Sequence, residues 1–137
     1  MSIHPVYISR IAAELPFDAV SNEQMETRLG LVGDKPSRAR RLILRSNGIQ
    51  QRHYVIDPAS GEPAMNNAQL AAAAIRKLCQ TPEQLNSIEC LAASSSAPDQ
   101  LMPNHAVMVH GELGNPPCEV VAPAGICLCG ITALKYA

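Results

Sequence analysis

Two short apolar runs, "SIECLAAS" (87–94) and "CEVVA" (118–122), constrain the fold of this chain more than any other feature. Neither run alternates between polar and apolar residues, which is typical of strands covered on both faces. Between them, "MPNHAVMVHGELG" (102–114) has a helical pattern that ends at Gly114, a residue suited to a helix C-cap. A strand, a helix and a second strand predict an α/β fold, with a mostly parallel sheet flanked by helices.

Further helical patterns surround these strands. "NAQLAAAAIRKLC" (67–79) predicts a helix with Leu70, Ala74 and Leu78 along one face. "TPEQL" (81–85) has a Thr cap followed by Pro at the first helical position. "GICLCGITALKYA" (125–137) predicts a helix that begins directly after the second strand.

The first third of the chain has mixed patterns. "VYISRIAAEL" (6–15) and "IQQRHYVI" (49–56) predict strands because they are rich in β-branched residues or alternate in polarity. "SNEQ" (21–24) predicts a capping box that opens a short helix. "SRARRLILRS" (37–46) predicts a basic helix capped by its first residue, Ser37.

The composition restricts the class of protein. Hydrophobic residues make up 47% of the chain, which is enough for a packed core, and the net charge of −1 argues against a general nucleic-acid or membrane-surface binder. No signal peptide and no apolar run of the ~18 residues that a membrane span needs is visible. The odd number of cysteines, five, without a secretory signal predicts a cytoplasmic protein with reduced thiols.

The five cysteines divide into two groups. Cys79, Cys90 and Cys118 stand in apolar surroundings, where free cysteine is an ordinary small core residue. Cys127 and Cys129 are one residue apart, and no further Cys or His has the spacing of a structural zinc site, so we expect no metal. A disulfide between them is disfavoured because helical positions i and i+2 point in different directions.

Cys127 follows a predicted buried strand and a short turn, and it opens a helix. Such a junction presents a side chain at the carboxyl edge of a sheet, where α/β proteins place their sites. A helix N-terminus also favours a thiolate by about 0.3–1 kcal/mol, which lowers a thiol pKa only modestly. The residues therefore predict that Cys127 is a nucleophile that works with partner groups.

Three stretches resemble one enzyme family. "LILRSNGIQQRHYVID" (42–57) is similar to an Arg-Thr-Gly-Ile-x-x-Arg segment, with Asn47 as one extra residue. "LAASSSAPDQLMPNHAVMVHGELG" (91–114) resembles a strand, a Ser/Thr-rich turn, a "PD…P" loop and a helix that ends in Leu-Gly. "CEVVAPAGICLCGITAL" (118–134) resembles a nucleophile strand and helix. In this order and spacing, they resemble the N-terminal part of β-ketoacyl-[acyl carrier protein] synthase III and its relatives in the thiolase superfamily.

The resemblance distinguishes the two neighbouring thiols. Family members carry Ala-Leu six and seven positions after the nucleophile, and counting from Cys127 places these on Ala133 and Leu134. Counting from Cys129 does not reproduce the spacing, so Cys129 stands where relatives have a small residue. The resemblance therefore implies that Cys127 is the catalytic nucleophile.

The resemblance also implies an activity. The enzyme would take an acyl group onto Cys127 and condense it with a malonyl-type thioester in fatty acid or polyketide biosynthesis, without a cofactor or a metal. It would be a cytoplasmic homodimer with a thiolase-like fold, and Met102 would line the substrate channel. An equally open interpretation is that Met102 is ordinary interface core.

The acyl donor is predicted by a departure from the family. Some members clamp the adenine of coenzyme A with a tryptophan, and this chain has none. A donor bound to an acyl carrier protein is therefore at least as well supported as a coenzyme A thioester. Carrier proteins are acidic, so the arginines of the basic helix would steer them (Arg38, Arg40, Arg41 and Arg45). The alternative is a solvated helix face.

The catalytic His and Asn of the family have no counterpart here. His105 and His110 lie on the predicted helix 102–114, five residues apart, and are expected to be structural or exposed. Neither His4 nor His53 matches a catalytic position of the family. We therefore expect residues 1–137 to form one incomplete N-terminal half of a thiolase-like domain that is inactive alone. Two alternatives remain open: a non-catalytic partial domain or component of a two-chain assembly, and a sister acyltransferase of the superfamily.

Overall fold

The computed structural model describes residues 5–137, so His4 lies outside the described residues. The chain divides into two compact units, of which the smaller comprises residues 15–65 and the larger comprises residues 5–14 and 66–137. Each unit is described by itself.

The smaller unit contains two short helices and a two-residue strand pair. Strands β1 and β2 are antiparallel, with Val20 opposite Arg52. The predicted capping box is present, since the Ser21 N–H donates to Gln24 Oε1 (3.1 Å) and the Gln24 N–H donates to Ser21 Oγ (3.4 Å). In chain order its elements are β1 (Val20–Ser21), α1 (Met25–Leu29), α2 (Arg40–Asn47) and β2 (Gln51–Arg52).

Three predictions for residues 6–56 differ from the structure. Residues 6–15 form no strand; the described part is irregular and largely exposed, because no neighbouring strand pairs with it among the described residues. The predicted strand 49–56 shrinks to β2. Helix α2 begins at Arg40 without a side-chain cap, so Ser37 is not its N-cap; its own N–H instead donates to Glu26 Oε1 (2.8 Å).

The larger unit has the predicted order of elements. Asn66 and Gln69 form a capping box at the start of its longest helix, and Thr81 and Asn104 cap the next two. Its elements are α3 (Asn67–Leu78), α4 (Pro82–Asn86), β3 (Cys90–Ala92), α5 (His105–Leu113), β4 (Glu119–Val121), a 3₁₀ turn (Ile126–Leu128) and α6 (Cys129–Tyr136). Helix α5 ends at Gly114 in the left-handed conformation, as predicted.

The core of the larger unit lies between α3, α5 and β3. It is built from Ala68 and Ala72 of α3, Val109 and Leu113 of α5, and Leu91 of β3. The alanines allow α3 and α5 to pack closely, since they carry no side chain beyond Cβ. Ala68 and Ala72, one helical turn apart, point to the core, whereas the predicted face with Leu70, Ala74 and Leu78 is half-buried.

Strands β3 and β4 are parallel, with Cys90 opposite Glu119 and Leu91 opposite Val120, which confirms the predicted strand–helix–strand arrangement. Successive side chains of a strand point to opposite faces, so Leu91 faces the core while Cys90 and Glu119 face the other way. On that second face the Tyr136 hydroxyl of α6 donates to Glu119 Oε1, and this bond raises the pKa of Tyr136. Helices therefore cover both faces of the β3–β4 pair.

None of the described helices has the length and the apolar character that crossing a membrane would need.

Candidate functional site

The turn that follows β4 has two residues of unusual backbone conformation directly before Cys127. Gly125 has φ +144° and Ile126 has φ +49°, and both values lie in the region that L side chains rarely adopt. A left-handed conformation is a clear outlier for a β-branched residue such as Ile126. Residues in sparsely populated backbone conformations cluster at active sites, where the surrounding structure holds them. Cys127 is the next residue and lies in the 3₁₀ turn.

The two neighbouring thiols differ in exposure. Cys127 is exposed, whereas Cys129, the first residue of α6, is buried inside the larger unit. The N–H of Leu128 donates to Gly125 O (3.0 Å), but those of Ile126 and Cys127 donate no backbone hydrogen bond within the described residues. Cys127 is thus exposed, and its own N–H and that of Ile126 have no backbone acceptor in this part of the chain.

The remaining thiols lie in less reactive surroundings. Burial, reinforced by the Glu119 carboxylate, raises the pKa of Cys90, which disfavours its thiolate. Cys118 packs against the core and lies 3.8 Å from Asn115 Nδ2. All five cysteines are free, and the described residues contain no cluster of His, Cys, Asp or Glu able to hold a metal ion.

A cavity of about 150 Å³ opens at the carboxyl edge of the β3–β4 pair. Its walls come from the loop after β3, the first turn of α5 and the segment between β4 and Cys127. The parallel pairing of the strands brings these segments to the same edge. The lining residues are Ala93, Ser95, Pro98, Gln100, Leu101, Asn104, His105, Ala122, Pro123 and Ala124.

Asp99 fastens the loop after β3 to the start of α3. Its carboxylate accepts hydrogen bonds from the Asn67 N–H (3.0 Å), Asn67 Nδ2 (3.0 Å) and the Ala68 N–H (3.1 Å). These bonds, that of the Asn67 N–H first, lower the pKa of Asp99. Asn67 Nδ2 also donates to Ala97 O (3.0 Å). The sequence pattern did not identify this role, because residues 67 and 99 are far apart in the chain.

Met102 lies at the tip of this loop and is 87% exposed. Its neighbour Leu101, rather than Met102, lines the cavity. The loop of Met102 and the turn of Cys127 both follow strands at the same edge of the sheet. The Met102 side chain is not packed into the core of the larger unit. Its role in the substrate channel stays a prediction.

His105 is the residue of this region that the sequence pattern missed. It is the first residue of α5, is only 7% exposed, and lines the cavity. Its Nδ1 is buried without a hydrogen-bond partner among the described residues. The signal in the sequence was its position, directly after the loop that leaves a buried strand.

The predicted arginines lie in the smaller unit. Arg40, Arg41 and Arg45 of α2 line one open pocket of about 480 Å³ together with Asn22 and Glu23. Arg40 is paired with Glu26 (2.8 Å). Neither Arg41 nor Arg45 forms an ion pair within residues 5–137, so these two supply the positive charge of the pocket.

The chain was compared with known proteins. No family model matches it, and no curated protein is similar enough to count as a match. Among solved structures, it is similar to AbyA1, a tetronic acid condensing enzyme, with 26% identity and a TM-score of 0.70 over 91% of this chain and 36% of that one. It is also similar to a 3-oxoacyl-(acyl-carrier protein) synthase from Burkholderia xenovorans LB400, with 23% identity and a TM-score of 0.56 over 85% of this chain and 31% of that one.

The chain therefore spans about a third of the length of the solved structures that it matches. Both of these structures are named as synthases or condensing enzymes, and the second match, at its lower identity, bears on the fold alone. Together with the parallel β3–β4 pair and the helices on both of its faces, they show that this chain has an α/β fold of the thiolase-like, ketoacyl synthase kind.

Proposed function

We propose that this chain carries the nucleophile of a ketoacyl synthase III-like enzyme, an acyltransferase that forms a carbon–carbon bond between two thioesters. The observation that carries the proposal is Cys127. It is exposed, it follows a parallel strand, and the two residues directly before it have positive φ values. The similarity to a tetronic acid condensing enzyme supports the same reaction class.

In the first step the Cys127 thiolate attacks the carbonyl carbon of an acyl thioester. A new C–S bond forms to Cys127, and the C–S bond to the donor breaks, so the donor leaves as a thiol after taking up a proton. The carbonyl oxygen becomes negative in the tetrahedral intermediate. The open N–H groups of Ile126 and Cys127 are natural donors to that oxygen, because they are fixed before the reaction begins.

In the second step a malonyl-type thioester loses CO₂. The electron pair of the broken C–CO₂ bond forms the new C–C bond to the acyl carbonyl carbon, and Cys127 leaves as thiolate. Charge again develops on the same carbonyl oxygen, so the same N–H groups serve both steps. The groups that assist the decarboxylation are proposed to come from a further part of the protein.

The exposed apolar surface of the larger unit supports such a further part. Ile126, Leu128, Ile131, Leu134 and Tyr136 of the last turn and α6 are each more than half exposed. A cluster of exposed large apolar side chains of this kind marks a protein interface. We propose that the C-terminal half of a thiolase-like fold covers it, and that the complete enzyme is a homodimer.

The donor is proposed to be held by an acyl carrier protein that docks on α2. Arg41 and Arg45 are four residues apart on the same helix face and line one pocket. They present positive charge to an acidic carrier, which speeds its encounter with the enzyme.

The test is acylation of the complete protein by short-chain acyl thioesters, followed by peptide mass mapping. We expect the acyl mass on the peptide that contains Cys127, in wild type and in the Cys129→Ala variant, and its loss in Cys127→Ala. An acyl group that remains in Cys127→Ala, or that maps to Cys129, would overturn the assignment.

A second candidate is a sister acyltransferase that condenses the acyl group onto oxygen or nitrogen. It is favoured by the match to an enzyme that condenses a tetronic acid. The product separates the two reactions, because only the ketoacyl synthase reaction releases one CO₂ for each new bond.

A further inference from the structure

We propose that the cavity beside Cys127 selects a short acyl group that carries a neutral oxygen substituent, a hydroxyl or keto oxygen, and that His105 is the residue that recognises it. This inference rests on the proposed function, because it concerns the acyl group that Cys127 receives. It assigns a specificity-determining role to a residue that the sequence analysis predicts to be structural or exposed.

The cavity is close enough to Cys127 to receive an acyl group bound there. Ala124 lines the cavity and precedes Cys127 by three residues. A chain extends at most ~3.6 Å for each residue, so the Cα atoms of Ala124 and Cys127 are no more than about 11 Å apart. A cysteine side chain that carries a thioester of four or five carbons spans about that distance, on the order of 10 Å, from the same bond geometry.

The size of the cavity suits a short chain. Its volume is about 150 Å³. A protein cavity of ~150 Å³ holds a ligand of the size of benzene, which has six heavy atoms. A short acyl group with one substituent is of similar size.

Three of the four polar side chains in the walls already form a hydrogen bond within the protein. Ser95 Oγ accepts from the Ala97 N–H (3.1 Å), and Asn104 Oδ1 accepts from the Val107 N–H (3.0 Å). Gln100 Nε2 donates to Met102 O (3.0 Å). His105 Nδ1 has no hydrogen-bond partner among the described residues. Most of the remaining wall is alanine and proline, so the cavity is largely apolar.

An unsatisfied ring nitrogen inside a protein is unfavourable unless a partner arrives. A neutral imidazole has one donor and one acceptor, so it pairs equally well with a hydroxyl or, through its N–H, with a keto oxygen. The Asp99 carboxylate lies near His105 and interacts with it electrostatically. A second carboxylate at this place would be repelled by Asp99, which is why the proposed substituent is neutral.

The test uses matched pairs of acyl N-acetylcysteamine thioesters in the complete protein. Each pair differs only in a hydroxyl against a methyl group: 2-hydroxypropionyl against 2-methylpropionyl, and 3-hydroxybutyryl against 3-methylbutyryl. The rate of acylation at Cys127 is followed by intact-protein mass. For at least one pair we expect the hydroxyacyl donor to react roughly tenfold faster or more, because a buried polar group left unpaired penalises the methyl isostere.

Three variants assign this preference to the ring. In His105→Leu the ratio of the two rates should fall to about one, and in His105→Gln, which keeps a donor and an acceptor, a preference for the hydroxyacyl donor should remain. His110→Leu is the matched control, because His110 lies on the same helix but does not line the cavity. Its ratio should equal that of the wild type.

An unchanged ratio in His105→Leu, or no preference for a hydroxyacyl donor in any wild-type pair, would overturn the inference. The proposed function would still stand in that case, provided that Cys127 is acylated. Absence of acylation at Cys127 by every donor would overturn both together. If His105→Leu does not fold, the wild-type ratios and the His105→Gln variant decide the question.

Discussion

At the scale of the residue, the two neighbouring thiols of the terminal helix illustrate how much a sequence can say. The strand–turn–helix context and the spacing in the family that the chain resembles both favour Cys127 over Cys129, and the structure places the first on the surface and the second inside. The assignment of Cys127 as nucleophile stays a prediction. Asp99 could not be found in this way, because its role depends on contacts with residues that are distant in the chain. His105 had a single signal, its position after the loop that leaves a buried strand, and its place in the cavity arises only when the chain folds.

Asp99 allows a prediction about stability and pH. Replacing Asp99 by Asn keeps an oxygen but removes the charge from the hydrogen bonds to Asn67 and Ala68. We expect the free energy of unfolding of the complete protein to fall by about 1 kcal/mol at pH 7, since charge-assisted caps are stronger than neutral ones. The measurement is the denaturant midpoint of the two proteins.

The pH dependence gives this prediction its sign. The pKa of Asp99 is lowered in the folded protein, so its stabilisation is fully present above the unfolded value of about 3.9 and is lost as the pH falls through the folded value. The difference between wild type and Asp99→Asn should therefore be largest near neutral pH and shrink below about pH 4. A difference that grows on acidification would contradict this account.

At the scale of the element, the helices were predicted better than the strands. Helices α3, α4 and α5 each have an N-capping residue directly before their first residue, so local chemistry fixes where they begin. A strand needs a partner from elsewhere in the chain, and a pattern cannot supply it. The run 6–15 therefore reads as a strand but pairs with none of the described strands, whereas the strand predicted at 118–122 pairs with β3.

Helix α2 carries the prediction about the acyl donor. The variants Arg41→Glu and Arg45→Glu should raise KM for a carrier-bound donor several-fold at low salt, and added salt should reduce the difference. Arg40 is unsuitable for this purpose because it is paired with Glu26 and its replacement would disturb the fold. Turnover of a small thioester donor should not change, since it has no acidic carrier.

Lys35→Glu provides the matched control for α2. Lys35 is an exposed cation of the same unit, but it does not line the pocket with Arg41 and Arg45. Its reversal changes the net charge by the same amount, so it should leave KM near that of the wild type. Equal KM values in all three variants at low salt would mean that α2 is a solvated face.

At the scale of the whole molecule, the sequence predicted the α/β class and the parallel pair, and the comparisons support the thiolase-like fold. The division into two compact units was not predicted, because no change of composition marks residues 15 and 65. The two units are defined by contacts between residues that are distant in the chain, and a local pattern of residue types does not predict such contacts.

The exposed face of α6 leads to a prediction about residues 1–137 alone. Ile131 and Leu134 are 66% and 60% exposed, and each such side chain contributes about 1.5–3 kcal/mol when fully buried. A few of these contributions equal a typical net stability of about 5–15 kcal/mol. We expect the isolated chain to lack both condensing activity and a cooperative thermal transition as a monomer. The measurements are calorimetry, light scattering and product analysis.

Two results would contradict this expectation, and they concern different claims. A monomer of residues 1–137 that unfolds cooperatively would show that the apolar face needs no cover. Condensation by that chain alone would show that its own residues suffice for the chemistry.

The hydrogen bonds between Asp99 and the start of α3 have a consequence for how such a protein can diversify. Because three hydrogen bonds of Asp99 and one from the Gln100 side chain to Met102 O hold the backbone of the loop, the side chains of Leu101 and Met102 have no part in keeping it in place. Leu101 and Met102 are each 87% exposed, so most substitutions there leave stability nearly unchanged. Gene duplicates can therefore drift at this tip and acquire new substrates without a loss of foldability, and a library for directed evolution is best aimed at the same positions.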